Sequence, residues 1–427
     1  MSKNTCNLNL SLQYLLSMIA LSLLLLKADS RTHRGDTRML RDLKQGLNPK
    51  SIALGSCLSS WDFSVDPCDH IFGDKFTCGF RCDWVSSGLF RVTEITLDPV
   101  GYSGLLSSTT WNLPYLQTLD VSDNSFYGSI PDSISNLTRL RRLSLSKNLL
   151  SGKIPISLAS LRQLEELYID NNSLHGPIPS SFNSLVSLKR LEIQENNLSG
   201  EFPDLGALKD LNYLDASDNQ ISGEIPSTLP VSLIELSMRN NKLQGKLPDN
   251  LGDLEFLQVL DLSHNELWGP ILPVLFYHPS LQQLTLSHNN FTFLQVPGTM
   301  GLTSNLIALD LSYNDLRGVL PGFLGSIPQL SALSLENNKF TGMIPTQYAL
   351  KVAVPRSNTS SFERLLLGGN YLFGPIPGPL MGLKPGSANV SLVDNCLYTC
   401  PDAFFFCQGG NQKSLVDCKK RFKPVIP

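Results

Sequence analysis

The strongest restriction on how this chain folds is a repeat. Eleven asparagines, Asn124, Asn148, Asn172, Asn196, Asn219, Asn241, Asn265, Asn289, Asn314, Asn338 and Asn370, follow one another at steps of 24, 24, 24, 23, 22, 24, 24, 25, 24 and 32 residues. Apolar side chains stand eight, five and three positions before each, as Leu140, Leu143 and Leu145 stand before Asn148, and another follows at two. Glycine at four positions after the asparagine and proline at seven complete most copies, as with Gly152 and Pro155. A unit built on Val92, Ile95 and Leu97, with Val100 in the asparagine's place, precedes the series; a partial one at Val390, Leu392 and Asn395 follows it. About twelve units of roughly 24 residues result.

Alternating leucines in so short a stretch put their side chains on one face of a strand and the intervening polar residues on the other. One unit cannot cover its own apolar edge. A stack of units makes a parallel sheet along one side and a shared leucine core behind it, with stability passed between neighbours. Where each coil turns its corner, buried backbone groups need partners, and a carboxamide supplies a donor and an acceptor together. Aspartate there would bury a charge. The glycine and proline that follow set a turn and an extended return segment.

The ends differ from the middle. Lys3, the apolar run Tyr14–Leu26 and the small residues at Ala28 and Ser30 read as a cleaved secretory signal over residues 1–30. Lys27 stops that run short of the roughly 20 apolar residues a membrane span requires. No later stretch is apolar enough to span, and the C-terminal end lacks the hydrophobic tail of a glycolipid-anchor signal. Nine cysteines are present: Cys6 within the signal, then Cys57, Cys68, Cys78 and Cys82, then Cys396, Cys400, Cys407 and Cys418. In a secreted chain, cysteines confined to two ends read as disulfide-bonded caps, here over residues 31–90 and 396–427, around a repeat region at 91–395. The spacing of Cys78 and Cys82 also suits zinc, but the disulfide reading is the stronger one. Each set of four allows three pairings.

Three copies quoted in full are LRRLSLSKNLLSGKIPISL from Leu140, LNYLDASDNQISGEIPSTL from Leu211 and LSALSLENNKFTGMIPTQY from Leu330. They resemble the plant-type extracellular leucine-rich repeat, LxxLxLxxNxLxGxIPxxL, over roughly Val92 to Asn395. The resemblance implies an α/β leucine-rich repeat solenoid whose curved parallel sheet lines a concave face that binds protein or peptide. The helical-looking stretch Asp36–Leu47 and the segment LSSWDFSVDPCD resemble the paired-cysteine N-terminal cap of plant leucine-rich repeat receptors, except that FTCGFRCDW at Phe76–Trp84 replaces the usual Trp-x-Gly-Val-x-Cys.

Residues seven, six, four, two and one before each ladder asparagine should project from the sheet. Many copies carry Asp and Ser there, as Asp261 with Ser263 or Asp310 with Ser312, and say little. The deviating copies hold Arg141, Arg142, Glu165, Glu166, Tyr168, Lys189, Arg190, Glu192, Tyr213, Glu235 and Arg239, a charged stripe with aromatic anchors of the kind favoured in protein recognition. An equally open reading makes them solvated cross-strand pairs, such as Arg190 beside Glu166. His264 and His288 occupy equivalent positions in adjacent units and read as surface residues rather than a metal pair. Phe293 stands where a turn glycine is usual, with Pro297–Thr299 replacing the regular return. Sixteen residues separate Pro345 from Phe362 where eight is usual, which predicts a protruding loop.

Six glycosylation sequons stand at Asn136, Asn171, Asn197, Asn290, Asn358 and Asn389; Asn136 and Asn358 are the better candidates, because the repeat consensus itself produces those at Asn171, Asn197 and Asn290. A basic tail, Lys413, Lys419, Lys420, Arg421 and Lys423 against Asp417, offers contact with acidic wall polysaccharide. With Lys+Arg at 34 and Asp+Glu at 37, no overall positive field exists to bind nucleic acid. No nucleophile elbow, phosphate loop, zinc-protease or kinase motif occurs, so no catalytic residue, cofactor or metal is expected.

These features point to a complete, secreted protein of the apoplast or cell wall that recognises a protein or peptide in signalling or defence, as a kinase-less receptor-like protein or co-receptor acting through a partner such as a receptor kinase. One alternative is an inhibitor of a pathogen's wall hydrolase. Polygalacturonase-inhibiting proteins are similar in carrying four cysteines in each cap, but this chain has more repeats, a different C-cap spacing and an insertion. A structural wall protein is the other.

Overall fold

The computed structural model describes residues 32–85, 88–296, 304–354 and 359–421. The secretory signal read over residues 1–30, the Pro297–Thr299 segment, the sequon at Asn358 and Lys423 lie outside them. The chain forms two compact units that divide between Ser144 and Leu145.

In the first unit the helix Arg34–Gln45 buries Asp36, Met39, Leu40 and Leu43. Disulfides join Cys57 to Cys78 and Cys68 to Cys82, selecting one of the three pairings. Trp61 is buried; its indole N–H donates to the Cys78 carbonyl at 2.9 Å, and its ring meets Phe63 and Phe80 edge-on. Phe80–Val85 pairs antiparallel with Leu89–Thr96, which then opens a parallel sheet continued by Thr118–Asp120 and Arg142–Ser144. Arg91 donates from Nε and Nη2 to the two oxygens of Asp36 at 2.9 and 2.8 Å, and the Val92 N–H donates to the same carboxylate at 2.9 Å. Burying these charges is tolerable because the fork is bidentate and the carboxylate is further hydrogen-bonded.

In the second unit, short strands at Glu166–Tyr168, Arg190–Glu192, Tyr213–Asp215, Glu235–Ser237, Val259–Asp261, Gln283–Thr285, Ala308–Asp310, Ala332–Ser334, Arg364–Leu366 and Asn389–Ser391 pair in parallel without a register shift. Their central residues, Leu167 through Val390, are buried and stack opposite one another. The segments after the ladder asparagines, expected only to turn and return, form further parallel strands. Leu149–Gly152, Ser173–Gly176, Asn197–Glu201, Gln220–Glu224 and Lys242–Gln244 make one set, and Arg317–Val319, Lys339–Gly342, Tyr371–Gly374 and Cys396–Leu397 another. Their closing glycines take positive φ; Gly245, at φ 86°, also leaves room for Glu224, whose Cγ would lie 2.9 Å from a Cβ there. With Phe293 in that place the left-handed turn is lost, and Asn290–Leu294 runs on as a strand against Trp268–Ile271 across a bulge.

Asn265 illustrates what holds the coils in register. Its Oδ1 accepts from the Leu243 N–H at 2.9 Å, and its Nδ2 donates to the carbonyls of Met238, Leu262 and Ser263 at 2.9, 3.1 and 3.1 Å. Two of these partners belong to the preceding coil and two to its own. The same bridge between coils recurs at Asn172, Asn196, Asn219, Asn241, Asn289, Asn314, Asn338, Asn370 and Asn395. In the first unit Asn124 accepts from the Tyr102 N–H and donates to the Asp98 carbonyl. Asn148 donates to the carbonyls of Leu145 and Ser146.

Step length follows from the return segments. Prolines at 155, 179, 248 and 321 precede the 3-10 helices Ile156–Ser160, Ser180–Ser184, Asp249–Asp253 and Gly322–Ser326. The two shortest steps, after Asn196 and Asn219, have no such turn. The long step contains a helix, Thr346–Ala353, where a protruding loop was expected. Tyr348, Ala349 and Val352 are buried, the Tyr348 hydroxyl donates to the Pro321 carbonyl at 2.9 Å, and the Lys351 ammonium donates to the Ile327 carbonyl at 2.6 Å. Apolar burial on one face packs the helical part of the insertion; residues 355–358 lie outside the described residues. At the end of the second unit Cys396 pairs with Cys418 and Cys400 with Cys407. Among the described residues, no helix is long and apolar enough to cross a membrane.

Substituting Asn265 with leucine leaves the Leu243 N–H and several carbonyls without this partner. At about 1–3 kcal/mol for each buried orphan group, the urea midpoint should fall by the equivalent of about 2 kcal/mol or more. Asn265→Asp should be comparably unstable at neutral pH and recover partly as the carboxyl protonates in acid; chemical denaturation at two pH values checks both.

Candidate ligand-recognition face

Each strand of the second unit's main sheet buries its central residue and turns the two flanking ones to the exposed face. Register sets Glu166, Arg190, Tyr213 and Glu235 in one row, and Tyr168, Glu192, Asp215 and Ser237 in the next. Arg190 stands at the centre of this group. Its Nε lies 2.6 Å from Glu192 Oε1, and its guanidinium lies over the Tyr213 ring, 3.5 Å from the centroid. Although in register with Glu166, Arg190 forms its ion pair along its own strand instead of across to that residue. The Tyr168 hydroxyl donates to Glu166 Oε2 at 3.0 Å, and Gln194 donates to Glu192 Oε2 at 3.2 Å.

The remaining stripe residues are arranged differently. Lys189 reaches Glu165 at 2.7 Å. Arg239 leaves the cluster for Asp218, 3.0 Å away, whose other oxygen accepts from the Asn240 amide at 2.7 Å. Arg141 and Arg142 belong to the first unit, where Arg142 Nη2 lies 3.8 Å from Asp120. Solvent-exposed pairs of this kind contribute only about 0–1 kcal/mol each, so they shape the surface more than they stabilise the fold.

Asp215 completes the cluster and escaped sequence reasoning. It occupies the Asp-x-Ser pattern shared with Asp261 and Asp310, in which the carboxylate accepts from the serine N–H two residues on, at 2.9 Å in all three. At Asp261 and Asp310 the serine hydroxyl donates to the same oxygen at 2.6 and 2.7 Å. Only at Asp215 do Glu192 and Glu235 stand on the adjacent strands. Burial raises the Asp215 carboxyl above its ordinary range despite the Ser217 hydrogen bonds, and burial together with Asp215 raises Glu235. Burial, aided by Glu235 and Asp215, pushes the Tyr213 phenol up to about 12. The result is a half-dry patch of carboxylates around one guanidinium stacked on an aromatic ring.

The other sequence candidates are dispersed. Asn136 is exposed at the end of the 3-10 helix Asp132–Asn136, and Asn197 and Asn290 are exposed at the starts of strands after ladder asparagines. Asn389 is exposed on the main sheet in register with Arg364, while Asn171 is half-buried and donates to Asp170 at 3.2 Å. Lys413 pairs with Asp394 at 2.6 Å, and Lys419 is exposed. The side chains of Lys420 and Arg421 lie outside the described residues. His264 and His288 stack with centroids 4.0 Å apart and planes 14° from parallel. Rings so arranged do not aim two in-plane nitrogen lone pairs at one metal ion about 2 Å from each.

A family profile described as a leucine-rich repeat region matches residues 105–365. A probable leucine-rich repeat receptor-like serine/threonine-protein kinase from Arabidopsis thaliana is 36% identical over 96 residues, covering 19% of this chain and 9% of the kinase. Among solved structures, the plant peptide hormone receptor RGFR1 in complex with RGF2 is 30% identical with a TM-score of 0.66, covering 71% of this chain and 48% of the receptor chain. The ectodomain of the plant membrane receptor kinase GASSHO1/SCHENGEN3 from Arabidopsis thaliana, in complex with Casparian strip integrity factor 2, is 31% identical with a TM-score of 0.67, covering 85% of this chain and 44% of that one. This chain therefore spans less than half the length of either structure and under a tenth of the kinase.

Asp215→Asn should move the Glu235 carboxyl back toward ordinary glutamate values, because it removes a neighbouring charge while a carboxamide oxygen still accepts from Ser217. A carbon-detected NMR titration of the glutamate side chains measures the shift; an unchanged Glu235 would mean that burial alone sets its value.

Proposed function

The chain belongs to the leucine-rich repeat family, and on that premise we propose that it is an extracellular recognition protein whose protein or peptide ligand docks on the exposed face of the second unit's main sheet, around Arg190 and Tyr213. The observation carrying this reading is the guanidinium held between Glu192 and the Tyr213 ring. An arginine already stacked and paired loses little freedom on binding, and Arg and Tyr are the residue types that concentrate interface energy. Half-buried Asp215 and Glu235, raised by their surroundings, would gain from a cationic group on the ligand.

The neighbouring structures support a signalling context, since RGFR1 is a plant peptide hormone receptor solved with RGF2. Four disulfides fit an oxidising compartment, and we place the protein outside the cell, in the apoplast or wall, acting with a partner such as a receptor kinase.

The test is capture from apoplastic and membrane fractions on the recombinant chain, identification by mass spectrometry, and calorimetry with each purified partner. Arg190→Ala combined with Tyr213→Ala should weaken the ligand at least about thirtyfold, the scale of a 2 kcal/mol hot spot, without altering thermal unfolding. A partner bound equally well by the double variant would sink the proposed face. Inhibition of a fungal polygalacturonase would move the assignment to a hydrolase inhibitor, and salt-extractable wall retention indifferent to the substitutions would move it to a structural role.

A further inference from the structure

Three rings form a stack along one rim of the second unit's main sheet. His264, His288 and Tyr313 occupy the corner position just before Asn265, Asn289 and Asn314, with φ of 54°, 53° and 52°. Adjacent parallel strands lie about 4.8 Å apart, and the shared corner geometry sends their side chains in one direction, so planar groups overlap from coil to coil. His264 and His288 lie 4.0 Å apart, and His288 and Tyr313 lie 4.1 Å apart with planes within 10°. All three are exposed.

The fold does not require rings here. A left-handed backbone disfavours bulky residues and suits asparagine or aspartate, which fill the equivalent corners at Asn171, Asp218, Asn240 and Asn337. Neither imidazole has a hydrogen bond or ion pair among the described residues. Asp310 acts on His288 through its charge and keeps its own hydrogen bond, as do the other charged residues of these coils. Asp261 and Asp310 accept from Ser263 and Ser312, Glu266 accepts from Gln244, Glu336 is half-buried and bonded to Ser391, and Arg239 is held by Asp218.

We propose that His264 and His288 form a proton-gated oxyanion site, in which the ring N–H edges of the two stacked imidazoliums together take one carboxylate or sulfate ester of an incoming molecule. Two positive charges at this separation repel, so a second charge on the stack is disfavoured while no anion is bound. Burial and His264 hold His288 below the usual histidine range, and Asp310 opposes them only in part. An oxyanion on both rings removes the repulsion, which makes anion and second proton bind cooperatively, each strengthening the other by the same factor. Tyr313, stacked beneath His288, braces the pair and offers its ring to the charged form. The site is separate from the Arg190 cluster and does not depend on it.

The experiment is an NMR titration of the imidazole resonances of the full chain between mildly alkaline and mildly acid pH, in chloride, acetate or methyl sulfate at equal ionic strength. The lower of two coupled steps should rise by about one pH unit, a tenfold coupling, in at least one of the two oxyanions. A response to acetate alone identifies a carboxylate ligand, and a response to methyl sulfate alone a sulfate ester. His288→Asn should abolish the anion-dependent shift at His264 while keeping the melting temperature, since asparagine fills the same corner at Asn240. Independent titrations insensitive to both anions, or a shift that persists at His264 in the His288→Asn variant, would overturn the proposal.

Discussion

The carboxamide at each coil's corner is the interaction on which the rest depends. A short strand followed by a sharp turn leaves backbone N–H and C=O groups facing an apolar interior, where unpaired groups are costly. One asparagine answers four of them, two in its own coil and two in the coil before, as Asn265 does for Leu262, Ser263, Met238 and Leu243. The bond is therefore both local and between coils. It holds the strands of the second unit in one register, and that register decides which polar side chains become neighbours.

The same corner has a second effect. Satisfying the asparagine requires a left-handed residue immediately before it, as at Glu195, Asp218, His264 and Tyr313. Repeated at strand spacing, this conformation arranges the preceding side chains in a column. Where they are short and polar the column is a hydrogen-bonded edge, as between Asp218 and Asn240. Where they are rings it becomes a stack. The chemistry of the rim thus follows from residues whose backbone role is the same throughout.

Much of this was legible in the chain itself. The leucine spacing identified the buried positions, because a strand's period of two leaves no choice of face once one side is apolar. The asparagine spacing identified the corners. The further strands after each corner were not legible: segments such as Asn197–Glu201 alternate for too few residues to separate a strand from an extended turn. The helix in the first half of the insertion after Pro345 was not foreseen, because extra length alone suggested a loop, whereas Tyr348, Ala349 and Val352 form an apolar helical face. At the candidate site, Arg190 stood out by its deviation from the repeat; it does stand beside Glu166 in register, but its pairing along its own strand with Glu192 was not legible. Asp215 was passed over because its local pattern matches the uninformative coils.

What the sequence determined alone is everything that repeats: the strand period, the leucine core, the ladder position of each asparagine and the confinement of the cysteines to two ends. These follow from spacing, and spacing survives in one dimension. The tertiary structure decided what depends on a particular pair of side chains meeting: Cys57 with Cys78 and Cys68 with Cys82 rather than the other pairings, Arg91 on Asp36, Arg190 turned to Glu192 and Tyr213 instead of Glu166, and His264 laid flat on His288. Several partners were within reach in each case, and rotamer, burial and charge chose among them only once the coils were stacked.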